Sequence, residues 1–387
     1  MRDAGGVVYL DNAATSFPKP PAVARAVAEF LTSVGASPGR SAHRLAVESA
    51  RRVFDARQHI ADFLGVGESR RVIFALNATH ALNLALMGTI RRRDHVVITS
   101  MEHNSVTRPL RRLMEARDVE VSRAESDRFG KVSPESVSEA VRPTTRMVVC
   151  NHASNVTGSL QDIAAIRAAA GDALLLVDAA QTAGATPIDM SELGVDLLAF
   201  TGHKSLLGPQ GTGGLCLSER VEPEPIVFGG TGSRSESDEQ PEFLPDRYES
   251  GTQNGPGLSG LAAGLRWLVD HGGAADARRK EMDLFSRLWE GLSRVERVVT
   301  YGPASPEERV AVVSFNIAGV SPSKLGALLD RRYGVACRVG LHCAPEAHRS
   351  IGTFPEGAVR LSPGPFTTRD DIDLVVRAVG ELSEEPA

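Results

Sequence analysis

A lysine and an aspartate, each closing an apolar run, carry the first chemical signal in this sequence. The run 195–200 ends in Thr201-Gly202-His203-Lys204, and the run 174–177 ends in Asp178-Ala179-Ala180-Gln181. Short apolar runs of this kind predict buried strands. A lysine at the mouth of such a strand is partly desolvated, which lowers its pKa and makes its amine a candidate nucleophile. A lone lysine after a strand is more often a plain surface residue; the aspartate changes the reading. A Lys and an Asp at the ends of neighbouring strands suit pyridoxal phosphate (PLP). The amine forms a Schiff base, while the carboxylate pairs with the pyridinium nitrogen and keeps the ring an electron sink.

Other polar residues fall in comparable places. Asn77-Ala78-Thr79 separates a predicted strand from a predicted helix. Helix-start amides and a threonine hydroxyl suit a phosphate there, although an ordinary N-cap is the plainer use of that threonine. His203 is a second phosphate candidate. His103, in Glu102-His103-Asn104, is placed to stack on a flat ring and relay protons, or to serve as a hydrogen-bonded loop residue. Asn155 and Gln181 lie beyond strand ends and are candidates for a ring hydroxyl. Cys343 follows His342 and sits near Arg338. Positive neighbours favour a thiolate; the alternative is a structural thiol, a role that suits Cys150 and Cys337 better. Arg360 offers a bidentate fork for a carboxylate.

Elements that could position these residues alternate along the chain. Strands are predicted at 72–75, 96–100, 119–123, 147–151, 173–178 and 195–200. Helices are predicted at 22–34, 45–64, 81–88, 106–116, 134–141 and 162–169, with Gly65 as a C-terminal cap. A Gly/Pro/Ser loop occupies 35–43. The alternation implies a mostly parallel, doubly wound α/β sheet with ligands at the carboxyl ends of its strands. A glycine-rich stretch, 229–257, carries an exposed acidic run at 235–242. A helix at 258–271 joins it to an α+β second domain with helices at 275–292, 322–333 and 369–382 and a strand at 310–316.

The 387 residues suffice for two domains. The net charge of −5 leaves no basic footprint for nucleic acid; the arginines at 91–93 and 111–112 read as solvated faces. The chain start lacks a signal-peptide pattern, and no run of apolar residues is long enough to span a membrane. The four cysteines form no CxxC pair, which argues against zinc and against a disulfide framework. A reducing cytoplasm is the expected location.

With these residues assembled, the chain resembles the class V aminotransferase family, in its cysteine desulfurase branch. The resemblance runs from Leu10-Asp11-Asn12-Ala13-Ala14-Thr15 to about Thr368. Its tightest motifs are Val177-Asp178-Ala179-Ala180-Gln181, Thr201-Gly202-His203-Lys204 and Tyr248-Glu249-Ser250-Gly251-Thr252. It implies the type I fold of PLP-dependent transferases. A large domain with a mostly parallel seven-stranded sheet would occupy 15–257. A smaller α+β domain would take 258–387 with an N-terminal arm, 1–14. Lys204 would be the Schiff-base lysine, Asp178 the partner of the pyridine nitrogen and His103 the stacked ring. Asn155 and Gln181 would contact the ring hydroxyl, and Ala78, Thr79, Thr201 and His203 the phosphate. Thr252 would reach the phosphate of a partner subunit, which implies a homodimer.

Arg338-Val339-Gly340-Leu341-His342-Cys343-Ala344 resembles the RxGxHCA motif of group II desulfurases. There the cysteine accepts sulfur from L-cysteine as a persulfide, leaving L-alanine, and passes it to an acceptor protein or thiol. Arg360 would hold the substrate carboxylate, with Asn155 and Arg338 beside the substrate. Ala78 departs from the first of two threonines common in the phosphate turn. The stretches 348–357 and 361–368 also differ from the best-known members. The same site admits selenocysteine lyase activity on L-selenocysteine, or another lyase or epimerase reaction. The thiol motif speaks against the latter, since those reactions need no sulfur acceptor.

Overall fold

The ligand-bearing ends expected from the sequence belong to one sheet. The computed structural model describes residues 6–38 and 43–385; the remainder of the loop expected over 35–43 lies outside the described residues. After a short strand β1 (Val8–Tyr9) come β2 (Val72–Ala75), β3 (His95–Thr99), β4 (Glu120–Ala124), β5 (Thr145–Asn151), β6 (Leu174–Asp178), β7 (Leu197–Thr201) and β8 (Gly213–Leu217). Strands β2 to β8 form a seven-stranded sheet in the order β2-β8-β7-β6-β5-β3-β4. All run in one direction except β8, which is antiparallel to both its neighbours.

Strands β3, β6 and β7 are buried along their whole length. Both faces of such a sheet must be covered, and near-continuous apolar strands result. On one face Val97, Val148, Leu175 and Leu198 pack with Ile60 and Leu64 of the helix Arg44–Leu64. On the other, Ile98, Val149, Leu176 and Ala199 pack with Leu82 and Leu86 of Ala78–Thr89 and Leu110 of Asn104–Arg117.

Strand β8 does not follow from the sequence pattern, because its first residues read as part of a turn cluster. Its glycines have a steric cause. A Cβ on Gly213 would lie 2.7 Å from the Phe200 carbonyl oxygen, and one on Gly214 would lie 2.6 Å from that of Ile73. The sheet closes here only because these positions carry no side chain. The helix expected over 22–34 is α-helical over Pro21–Glu29 and widens into a π turn at Phe30–Val34. Gly65 ends the helix Arg44–Leu64 at φ +66°, as expected. The joining helix spans Gly255–Asp270, and its Leu258, Leu261, Leu265 and Leu268 belong to the core of the large sheet.

The C-terminal part has its own core. Strands β9 (Val298–Tyr301), β10 (Val313–Ile317), β11 (Val335–Ala336), β12 (Arg338–Gly340) and β13 (Ala358–Leu361) follow in the chain. Four of them form an antiparallel sheet, β12-β13-β10-β9, while β11 pairs in parallel with β1. Phe285, Phe315, Leu329 and Val375 fill this core together with Leu10 from the chain start. Only β10 is evident in the sequence; the others are too short for a period to register.

One buried ion pair ties the glycine-rich stretch to the sheet. Arg57 Nη1 and Nη2 donate to Glu249 Oε1 and Oε2 at 2.6 and 2.8 Å, and the guanidinium lies 4.5 Å from the Phe74 ring centroid. Glu249 Oε1 also accepts from the Phe74 amide at 2.6 Å. Removing one partner strands the other charge in the interior. Arg57→Ala should therefore lower stability by about 3–5 kcal/mol, read as a fall in the urea midpoint at unchanged slope.

Candidate active site

A cavity of about 230 Å³ opens at the carboxyl ends of the parallel strands. Asn151, Asp178 and Thr201, which close β5, β6 and β7, line it with Ala78, Thr79, His103, Asn155, Gln181, His203 and Lys204. Nine residues singled out in the sequence thus meet in one place, because each follows or ends a parallel strand.

Charge inside the cavity is set by burial. Desolvation lowers the Lys204 pKa to about 8, with the Asp178 carboxylate opposing that shift. Burial raises the Asp178 pKa, against the hydrogen bond from the Ala180 amide and the charge of Lys204. The Ala180 amide donates to Asp178 Oδ1 at 2.9 Å. His103 is pushed down to about 4 by burial and then by Lys204, so its ring is neutral. Its Nδ1 accepts from the Ser105 amide at 3.0 Å, which leaves the ring proton on Nε2.

The other end of the cavity is built for an anion. Ala78 and Thr79 open the helix Ala78–Thr89, and Asn77 caps it by accepting from the His80 amide at 3.0 Å. Thr79 Oγ1 lies 2.8 Å from Ser105 Oγ. Thr201 Oγ1 and His203 Nδ1 are buried and have no hydrogen-bond partner among the described residues. Buried polar atoms are ordinarily satisfied, so these two call for a ligand. A helix N-terminus beside them supplies the matching field.

Four sequence candidates stand outside this cavity. Arg360 is buried; Nη2 donates to Asp11 Oδ1 at 2.8 Å and Nη1 to the Asn155 carbonyl at 2.9 Å. Arg338 is exposed, opposite Arg360 in the pairing of β12 with β13. Thr252 lines a separate cleft with Thr231, Arg57 and Gln253. Cys343 is exposed and lines an adjoining cleft that shares Thr79, His103 and Ser105 with the cavity. The expected contacts of Asn155 and Gln181 are partly committed elsewhere: Asn155 Nδ2 donates to the His342 carbonyl at 2.7 Å and Gln181 Nε2 to that of Ala13 at 3.1 Å.

Sequence reasoning missed several participants. Ser105 links Thr79 to His103, and its place just after Glu102-His103-Asn104 was the available signal. Asp11 reaches Arg360 across nearly the whole chain, which no local pattern reveals. Glu102 is fully buried beneath the site. Its Oε1 accepts from Thr99 Oγ1 at 2.6 Å and the Asn151 amide at 2.9 Å, while Oε2 has no partner among the described residues.

Comparison with known proteins decides the family. The profile described as aminotransferase class-V matches residues 8–375. The chain belongs to the class V aminotransferase family. Among its relatives in this family, a probable cysteine desulfurase of Methanothermobacter thermautotrophicus is 35% identical, over 98% of this chain and 94% of that protein. A cysteine desulfurase of Haloferax volcanii is 30% identical, over 99% and 91%. The apo structure of a cysteine desulfurase from Thermococcus onnurineus superposes with a TM-score of 0.91 at 31% identity, covering 98% of this chain and 95% of that one. The cysteine desulfurase CsdA of Escherichia coli, in an S-sulfonic acid form, gives 0.86 at 28% identity, over 97% and 94%. Family membership implies PLP, and the cavity fits it: an acid and an amine share one end, and unpartnered donors with a helix start form the other.

Two outcomes test the electrostatics. In protein freed of cofactor, Lys204 should titrate at about 8. Asp178→Asn should move that titration lower, since the carboxylate charge raises it. The pH dependence of Lys204 modification by an amine reagent, followed by mass spectrometry, reads both. For Glu102, burial raises the pKa from 4.5 to about 8, with the nearby Asp178 charge adding to it. A raised carboxyl pKa gives stability that is present below the unfolded value and is lost as pH rises towards the folded one. Glu102→Gln should flatten part of that decline when unfolding free energy is measured across this window.

Proposed function

We propose that the protein is a PLP-dependent cysteine desulfurase, converting L-cysteine to L-alanine and holding the sulfur on Cys343 as a persulfide. The observation that carries this reading is the exposed Cys343 thiol in a cleft that shares Thr79, His103 and Ser105 with the Lys204/Asp178 cavity. The relatives named as cysteine desulfurases support it.

Lys204 and Asp178 would hold the reactive end of the cofactor, and Ala78, Thr79, Thr201 and His203 its phosphate, with Asn155 and Gln181 near the ring hydroxyl. When bound, PLP supplies a carbonyl for Schiff-base chemistry and an electron sink. Lys204 Nζ, with a pKa near neutrality, takes the α-proton of the substrate. Asp178 would pair with the ring nitrogen of that cofactor. His103, a neutral imidazole with its proton on Nε2, would stand against its ring. Arg360, with Arg338 beside it in the strand pair, supplies positive charge for the substrate carboxylate. The Cys343 thiolate attacks the substrate Sγ; a sulfur–sulfur bond forms as the carbon–sulfur bond breaks, and protonation completes alanine. Burial pushes the thiols of Cys150, Cys216 and Cys337 up, which leaves Cys343 as the thiol for this step.

On this reading 15–257 is the cofactor domain, and 1–14 with 258–387 is the smaller one, the helix Gly255–Asp270 joining them. The enzyme works in the cytoplasm as a homodimer in which Thr252 serves the partner's phosphate site, and a protein or thiol acceptor removes the sulfur. Among the described residues no helix is long and apolar enough to cross a membrane.

Cys343→Ser should abolish persulfide and sulfide formation from L-cysteine while the visible absorbance of bound cofactor stays. Persulfide surviving that change would remove Cys343 from the mechanism. Selenide release from L-selenocysteine that persists in Cys343→Ser, with wild-type protein inactive on L-cysteine, would instead mark a selenocysteine lyase.

A further inference from the structure

The loop that presents Cys343 has an uncommon backbone. His342 and Cys343 have φ of +50° and +58°, two successive non-glycine residues in the left-handed region. Side chains resist that region, so neighbouring contacts must hold it. Three of these are to backbone: the Ala344 amide donates to the Leu341 carbonyl at 2.9 Å across the turn, the Asn155 side chain donates to the His342 carbonyl at 2.7 Å, and the Asn104 amide to the Cys343 carbonyl at 2.8 Å.

A further contact is a side-chain chain that the mechanism leaves unused. His342 Nδ1 lies 3.2 Å from His348 Nε2. His348 Nδ1 lies 2.7 Å from Thr353 Oγ1. All three residues are buried, His348 completely. Thr353 Oγ1 also lies 3.4 Å from the His348 carbonyl. When its proton is turned there, Thr353 accepts from His348 Nδ1 and His348 Nε2 accepts from His342 Nδ1. Burial keeps both rings neutral at physiological pH, with His348 pushed down to about 4 and His342, aided by the Arg360 charge, to about 2. Two neutral rings can share one hydrogen bond without repulsion. Thr353 is itself fixed, because its amide donates to the His348 carbonyl at 2.8 Å and its carbonyl accepts from Gly357 at 2.7 Å.

We propose that His348 and Thr353 are positioning residues for Cys343: they anchor the His342 ring, and so hold the left-handed turn that puts the Cys343 thiol into the cleft shared with His103. This rests on the reading of Cys343 as the sulfur acceptor. It assigns a role to the stretch 348–357, where the sequence departs from the best-known family members.

Two substitutions of similar size separate positioning from packing. His348→Asn keeps a polar atom near Nδ1, facing Thr353, and loses the link to His342. His348→Gln reaches the Nε2 position and keeps that link. With cofactor-loaded protein, Cys343 persulfide should form roughly 10-fold more slowly in His348→Asn, and within about threefold of wild type in His348→Gln, as expected when only the placement of a reacting group changes. KM for L-cysteine should be unchanged in both. The rate of Cys343 alkylation by iodoacetamide, measured without substrate, should depart from wild type in the same order. Equal behaviour of the two variants, or losses that follow the melting temperature alone, would overturn the proposal. Wild-type protein that makes no alanine from L-cysteine would refute the desulfurase reading instead, and the alkylation order would still judge the clamp.

Discussion

Taking the Lys204 amine out of water beside Asp178 is the constraint around which this molecule is arranged. An ammonium deep among strand ends loses hydration, and a carboxylate there loses it as well. Burial moves each pKa towards neutrality, and the charge of each group partly opposes the shift of the other. The sheet makes the juxtaposition possible. Strands β6 and β7 are neighbours and run the same way, so Asp178 at one end and Lys204 just beyond the other face a common cavity. Their apolar length excludes water from below, and the same burial pushes the Glu102 carboxyl up to about 8.

The second constraint is reach. A thiol that removes sulfur must approach the substrate and then be approached by an acceptor, so it cannot lie in the same buried cavity as the lysine. On the proposed reading Cys343 meets this requirement, since it sits on an exposed turn after β12, where the Asn104 amide from the large sheet's side pins its carbonyl. Two left-handed residues in sequence cost about 1–2 kcal/mol each. Backbone held in such regions recurs at functional sites, where surrounding contacts over-determine it. Arg360 and Asp11 act on the same seam, tying β13 to the chain start, and Asn155 bridges that pair to the His342 loop.

Chain order explains why so distant a set converges. The N-terminal segment crosses to the small domain, where β1 pairs with β11 and Leu10 enters its core, and then returns past Lys204. On the way back Ser16 Oγ donates to the Lys204 carbonyl at 2.8 Å, and Lys19 Nζ donates to the His203 carbonyl at 2.7 Å. Arg57 and Glu249 do the equivalent task for the glycine-rich stretch that carries Thr252.

By itself the sequence determined what local pattern can encode. Apolar runs ending in Asp178 and Lys204 and the alternation of strands with helices follow from periodicity and end chemistry, whereas the cap of the helix Ala78–Thr89 is Asn77 and not the threonine that the sequence suggested. The runs and the alternation fix the parallel sheet and place Asp178, Lys204 and Thr79 at its carboxyl edge, where ligands of such sheets gather. Only the tertiary structure decided what depends on non-local contact. Strand β8 was hidden because close backbone approach demands glycines that read as a turn. Ser105, Asp11 and the His342–His348–Thr353 chain carry no periodic signature, as each is defined by a neighbour rather than by its spacing. The separation of Arg360, Thr252 and Cys343 from the cavity that Lys204 lines was likewise undetermined, because distance between segments far apart in the chain is set by packing and leaves no trace in the order of residues.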